Sequence, residues 1–309
     1  MVTRAGLGAA AALTAAAIYG SVPPLVRGAF DNGVPAVESS LIRTSIIAVV
    51  LGAIAVLRNA SFIVPRAGWK SFGLLAGATL AISMSYLAAV QFIPVALAVI
   101  IFYTFPIIIL ITAPVVEGHI PGILRIIIGL FAFAGLAIAI GPSFNALDPR
   151  GIALAASASA GAALQAFAGR AITRHLEPVA FGSLVHLAIW IPSLLIVLWL
   201  GGGEIRSFPG GDVTPVGYLC VLALSLLYVG AYFFHMQSLK YAPASVVAPF
   251  FNLEPIVTIA IAALLLGERL ALNQYLGGIM VLVALIASSL LGLRQRADEG
   301  GKTGYSKPS

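Results

Sequence analysis

Glu254 and Pro255 interrupt an apolar run, APFFNLEPIVTIAIAALLLG, in which no other side chain is charged. A charge at the middle of a membrane-spanning helix costs about 2.5–3.5 kcal/mol on insertion scales, so it faces a cavity or a partner. Pro255 has no N–H to donate and disturbs the preceding turn. Carbonyls freed in this way can line a substrate site. Two readings stand side by side: a site residue, or a buried structural acceptor bonded to a neighbouring helix.

Arg43 is the second charge in apolar surroundings. Only residues 44–57 separate it from Arg58, too few to span, so its helix must extend backward and include it. It either snorkels to the outer face, or binds an anionic group of a substrate, or pairs with Glu254 in one access state. Glu38 cannot readily neutralise it, because positions i and i+5 point about 140° apart on a helix. His186 and His235 lie in further apolar runs. They suit a proton relay near neutral pH and equally a hydrogen bond between helices. Asn252, Tyr103, Tyr86, Tyr19, Tyr228, Tyr232, Gln165 and Trp190 could line an amphipathic cavity, and packing hydrogen bonds explain each of them as well.

The elements that hold these residues are read from the composition. Of 309 residues, 60% are hydrophobic and 9% charged, with mean hydropathy +1.05. Soluble domains carry roughly 25% charged residues, so the chain reads as a polytopic, all-α integral membrane protein in contact with lipid. The isoelectric point near 9.7 does not indicate nucleic acid, because the basic residues are scattered between apolar runs. The single cysteine, Cys220, excludes an intrachain disulfide. The N-terminal run resembles a signal peptide but is too long for one, and reads as a retained first span.

Charges and Gly/Pro clusters divide the chain into ten expected spans: 5–26, 35–57, 69–90, 94–116, 122–141, 151–172, 178–200, 214–237, 243–266 and 271–293. With the N-terminus in the cytoplasm, twelve Lys and Arg fall on that side and four on the other. This bias predicts both termini cytoplasmic, in the cell membrane (the inner one, if the cell is Gram-negative). Residues 294–309 read as a polar, disordered cytoplasmic tail.

Two halves of the chain match. Pro94/Pro243, Pro106/Pro255, Gly118/Gly267 and Gly129/Gly278 are each 149 residues apart. Nearer each half's start the offset is 143, as in Arg27/Arg170, Pro35/Pro178 and Arg43/His186. At 149, Asn252 matches Tyr103, His235 matches Tyr86, and Glu254 matches Phe105. The change of offset falls at the loop GGGEIRSFPGGD, as a duplication predicts. The units are 1–147 and 148–293. Five spans per unit is an odd number, so the second copy is expected to be inverted, an arrangement typical of secondary transporters with a midplane substrate site.

PFFNLEPIVTIAIAALLLGERLALNQYLGGIMVLVALIAS resembles the closing span pair of the EamA-like transporter family, in the drug/metabolite transporter superfamily. IFYTFPIIILITAPVVEGHIPGILRIIIGLFAFAGLAIAIGP resembles the same unit in the first half. The resemblance covers nearly the whole chain. It implies ten transmembrane helices as two inverted five-helix repeats, a central cavity, and export of small metabolites, with amino acids or related amphipathic compounds as the first expectation. Two departures stand out: the Glu of the Gly-Glu motif is present as Glu268 but matched by His119, and Tyr19–Gly20 has no clear counterpart. Pro106, Pro255, Gly118, Gly267, Glu268, Gly129 and Gly278 read as structural. The spacing Gly73–Gly77 suits close helix packing, and the small residues of the fifth and tenth spans would suit a homodimer.

Enzyme readings fail: the chain has no HExxH, no G-x-S-x-G and no dinucleotide fingerprint, and Arg296 stands where a P-loop before GKT would need its first glycine. No cofactor or metal is expected, and with no ATP-binding segment transport would be gradient-driven or passive. The alternatives are a passive facilitator of the same fold and a non-transporting membrane partner protein.

Overall fold

The computed structural model describes residues 4–89, 92–93, 95–118, 120–141, 148–205, 207, 213–266 and 271–303. Gly267 and Glu268 lie outside the described residues, as do Pro94 and His119. Regular structure among the described residues is helical, as a chain in lipid requires, because a helix satisfies its own backbone hydrogen bonds. The first half contains α1 (Arg4–Gly20), α2 (Val22–Asp31), α3 (Ala36–Leu57), α4 (Trp69–Ala89), α5 (Val95–Phe102), α6 (Phe105–Val116) and α7 (Ile123–Ile140). The second contains α8 (Pro149–Ile172), α9 (Pro178–Leu200), α10 (Pro215–Tyr241), α11 (Ala244–Val247), a 3-10 segment (Ala248–Asn252), α12 (Leu253–Leu266) and α13 (Leu272–Thr303). Eight segments among the described residues are long and apolar enough to cross a membrane, and Leu272–Ser288 is a shorter apolar helix. Large apolar side chains such as Val49, Ile111, Leu195, Leu219 and Leu282 are exposed on the outside, the pattern of a surface solvated by lipid.

Three expected spans are not single helices. The first is broken at Ser21 and runs on to Asp31. Pro23 and Pro24 have no N–H for the carbonyls of Tyr19 and Gly20 four residues back, so the helix cannot continue unchanged. The fourth stops at Phe102 and restarts at Phe105 ahead of Pro106, and the ninth passes through the 3-10 segment ahead of Pro255. The last helix continues to Thr303, past the expected end at 293 and into the segment expected to be disordered. RQRADE is rich in helix formers and contains no proline, so nothing in it stops the helix.

The most extensive packings are α4 on α8, α1 on α10, α3 on α9 and α7 on α13. Exchanging the two halves turns the first pair into the second and leaves the other two unchanged. The fold therefore repeats its contacts as well as its sequence. Gly135 and Gly277 let α7 and α13 touch backbone to backbone, so the small residues of the fifth and tenth spans serve packing within the chain. Gly118, with φ +73°, ends the α6 turn in the left-handed conformation glycine favours. Gly73 and Gly77 do not mediate packing: nothing lies within 4 Å of a Cβ built at either. α4 meets α8 through its other face, where Ala78, Ala81 and Ile82 surround Gly161.

Candidate functional site

The broken spans meet around Glu254. It lies in the first turn of α12, ten residues beyond the start of α11, or about 15 Å along the span at 1.5 Å per residue. Proline chemistry places it there. Pro24 leaves the Gly20 carbonyl without a helical donor, and the Thr258 hydroxyl donates to it at 2.9 Å while also reaching the Glu254 carbonyl at 3.1 Å. A Cβ on Gly20 would stand 2.5 Å from the Glu254 carbonyl oxygen. Glycine is thus required for this approach, and Thr258 ties the first break to the ninth span.

Around this junction the side chains converge. The Tyr103 hydroxyl lies beside the Glu254 carboxyl. Tyr103 packs on Phe102 and Phe105, and Tyr86 on Phe102, with ring centroids 5.2, 5.9 and 5.1 Å apart. Tyr19 contacts Tyr228 (5.1 Å), His235 (6.1 Å) and Phe251 (6.5 Å). The Arg43 guanidinium lies over the Tyr228 ring, 4.2 Å from its centroid, in a cation–π contact. Tyr228, Tyr232 and His235 follow helical spacing on α10 and present one face of it to this region. His186 is buried; its Nδ1 bonds the Gly182 carbonyl at 2.8 Å and its ring meets Tyr232 edge-on at 4.8 Å. Tyr19, Arg43, Tyr86, Tyr228, His235 and Glu254 are only half-buried. Together these residues form a cluster of half-buried polar and aromatic side chains at mid-helix.

The cluster has two poles. Arg43 is at one, cationic, with Tyr228 beneath it and no carboxylate paired to it among the described residues. Glu254 is at the other, beside Tyr103. Tyr19 lies within electrostatic range of both. The two charges do not form an ion pair in this conformation. The cluster can receive an anionic group, a cationic or protonated group, and an apolar or aromatic body. A hollow of about 170 Å3 lies between α12 and α13, lined by Ile256, Ile259, Gln274, Tyr275 and Gly278 among others. It carries no charged side chain and lies apart from this cluster.

Other sequence-level candidates have packing partners. Gln165 Nε2 donates to Thr79 at 2.9 Å and Trp190 Nε1 to Ser45 at 2.8 Å, each joining two helices. Asn252 is fully buried; its amide nitrogen bonds the Pro249 carbonyl at 3.1 Å and its oxygen has no partner. Gly129 faces Leu110 of α6, and Gly278 faces Ile256 of α12, so this repeated pair sits against the fourth and ninth spans in turn. Thr258 escaped the sequence reading, although a threonine one turn after NLEP in an apolar run was a usable signal. Glu117 escaped it too. It stands beside Gly118, on the opposite side from His119, where a Gly-Glu motif would not look for a carboxylate.

A family model for the EamA-like transporter family matches residues 6–141 and again 149–290. No curated protein matches. Among solved structures 29 chains match. One, described as "Crystal structure of protein", superimposes with a TM-score of 0.80 at 17% identity, over 93% of this chain and 98% of that one; a likeness this distant in sequence concerns the fold alone. With both halves matched, the chain belongs to the EamA-like transporter family.

Proposed function

We propose that the protein is a secondary transporter that exports small organic metabolites by alternating access at the cluster around Arg43 and Glu254. The observation that carries this reading is the junction itself: broken helices from both halves meet at mid-span, and the oppositely charged Arg43 and Glu254 belong to the half-buried cluster around it. Discontinuous helices at a repeat interface are where transporters of this construction hold substrate and coupling ions. In this reading the chain crosses the cell membrane ten times as two inverted five-helix repeats, with both termini cytoplasmic. The exchange symmetry of the packings supports the duplication, and the odd number of spans per half supports the inversion. Amphipathic compounds bearing a carboxylate and an amine, amino acids among them, fit the two poles, with Arg43 taking the anion and Glu254 the cation or a proton. The protein acts on its substrate without chemistry and needs no cofactor.

A metabolite-library screen for thermal stabilisation of the purified protein tests this reading. Compounds that stabilise are then followed as flux into proteoliposomes. Glu254→Gln and Arg43→Leu should each abolish most of the flux; if both leave it intact, the site assignment fails. Flux indifferent to collapse of the proton gradient would make the protein a passive facilitator. The absence of any stabilising compound would point to a non-transporting membrane partner.

A further inference from the structure

The corner between α10 and α11, Leu239–Ser245, is held by two charged side chains from other elements. Pro243 cannot donate to the Leu239 carbonyl, so α10 ends there with carbonyls exposed. Arg170, in the last turn of α8, supplies the missing donors: its Nη1 reaches the Leu239 oxygen at 2.6 Å and the Ala242 oxygen at 2.7 Å. A cation at a helix C-terminus also opposes the helix dipole favourably. On the other side of the proline, α11 begins with free N–H groups. Glu117, just past the end of α6, accepts from the Ala244 N–H at 2.7 Å and from the Ser245 hydroxyl. Its charge is also felt by Arg125 of α7 and by Arg170. One corner thus draws in α6, α7 and α8.

Where this corner lies decides what it can do. Gly8, in the second turn of α1, is so close that a Cβ there would stand 2.7 Å from the Ala242 Cβ. The corner is therefore at the end of the bundle where α1 begins. From it the chain runs through α11 and the 3-10 segment directly to Glu254. Parting Glu117 from α11, or Arg170 from α10, would therefore free the stretch of chain that leads from this end of the bundle to Glu254.

We propose that Glu117 and Arg170 form a latch that closes access to Glu254 on the side of the N-terminus, and that releasing the Leu239–Ser245 corner opens it. Helix ends suit this use, because a charge can leave a backbone terminus and be replaced there by water at small net cost. The purpose of the latch rests on the alternating-access reading, but its existence does not, and the test requires no substrate.

The test measures maleimide labelling of full-length protein in nanodiscs, in a Cys220→Ser background with one reporter at a time. Ala248→Cys reports on the latched side, between the corner and Glu254, where Ala248 is buried. Ser39→Cys reports on the opposite end of the bundle, where Ser39 is also buried. Glu117→Ala should speed labelling at Ala248→Cys about tenfold, as loss of charge-assisted hydrogen bonds implies, with labelling at Ser39→Cys unchanged or slower. Arg170→Lys, which keeps the charge but on a shorter side chain that falls short of the position of Nη1 between the two carbonyls, should give a smaller change in the same direction and keeps the proposal testable if Glu117→Ala does not fold. Equal acceleration at both reporters means general loosening and overturns the latch, as does no change at Ala248→Cys in either variant. A labelling shift without transport of any compound would leave the latch standing and defeat the transport reading; transport without a labelling shift would do the reverse.

Discussion

At YTFP the fourth span stops at Phe102 and resumes at Phe105; at NLEP, 149 residues later, the ninth span passes through a 3-10 segment and resumes at Leu253. The first interruption is short. The Thr104 hydroxyl bonds Ile101 of its own helix end at 2.7 Å and Ser159 of α8 at 2.8 Å, and Phe105 packs among aromatic rings. The second is longer and open to its surroundings. It adds Glu254 to the half-buried cluster and takes support from the first span through Thr258. Pro106 and Pro255 make both breaks, so the break belongs to the duplicated fold. The carboxylate belongs to one copy. The two also face each other: Phe105 and Phe251 lie 6.3 Å apart, and Tyr103 of one break stands beside Glu254 of the other. Duplication supplied a pair of interruptions that now differ in their side chains, Phe105 in one and Glu254 in the other.

The comparison predicts its largest difference in transport. Glu254→Leu should reduce flux at least tenfold, the order expected when an interaction with a charged group is lost, whereas Phe105→Leu should change it less than about twofold. Equal losses would mean that the breaks contribute alike and that the carboxylate has no special part. Tyr103→Phe comes next. It removes the hydroxyl beside Glu254 and keeps the ring packing, so flux should fall about tenfold while thermal stability stays near that of the unaltered protein. A matching loss of stability would reassign Tyr103 to packing.

The junction of the first and ninth spans has a smaller, purely structural signature. Gly20→Ala places a Cβ against the Glu254 carbonyl and should destabilise by about 1–3 kcal/mol, because backbone cannot yield as a side chain can. Thr258→Val frees the Gly20 carbonyl and should cost about 0.6–1.7 kcal/mol, the range for hydrogen bonds between membrane helices. Both are read from thermal unfolding in detergent. If Thr258→Val proves the more costly, the hydrogen bond rather than the close approach sets this junction.

Much of this arrangement was legible in the sequence. Apolar runs and prolines at a fixed offset gave the duplication and the all-helical class, and charges misplaced in lipid singled out residues 43 and 254 as candidates. Helix continuity was not legible. Pro23 and Pro24 could equally have kinked a single helix, and the break became visible only with α12 seated against Gly20. The roles of Glu117 and Arg170 were hidden for a related reason: both bind backbone groups, and a backbone carbonyl leaves no mark in a sequence. Gly73–Gly77 misled in the opposite direction, since the spacing permits close packing without saying which face of α4 will be used.

The smallest predicted effect separates two glycines that the repeat treats as equivalent. Gly129 and Gly278 both face the broken span of their own half, but the space around them differs. A Cβ at position 129 would meet Leu110 Cδ1 at 2.7 Å, while at 278 the nearest atom is Ile256 Cγ2 at 3.7 Å, an ordinary contact. Alanine in a helix interior gains roughly 0.5–1 kcal/mol over glycine. At 278 nothing opposes that gain, so Gly278→Ala should raise thermal stability slightly. At 129 the end of the Leu110 side chain must move, at a cost of about 1 kcal/mol or more, so the gain is cancelled and Gly129→Ala should be neutral to mildly destabilising. The difference in sign is the measurement. If both substitutions shift the unfolding temperature alike, the two halves pack their fourth and ninth spans more symmetrically than the Leu110 and Ile256 contacts indicate, and the asymmetry between the breaks is confined to Glu254 and its partners.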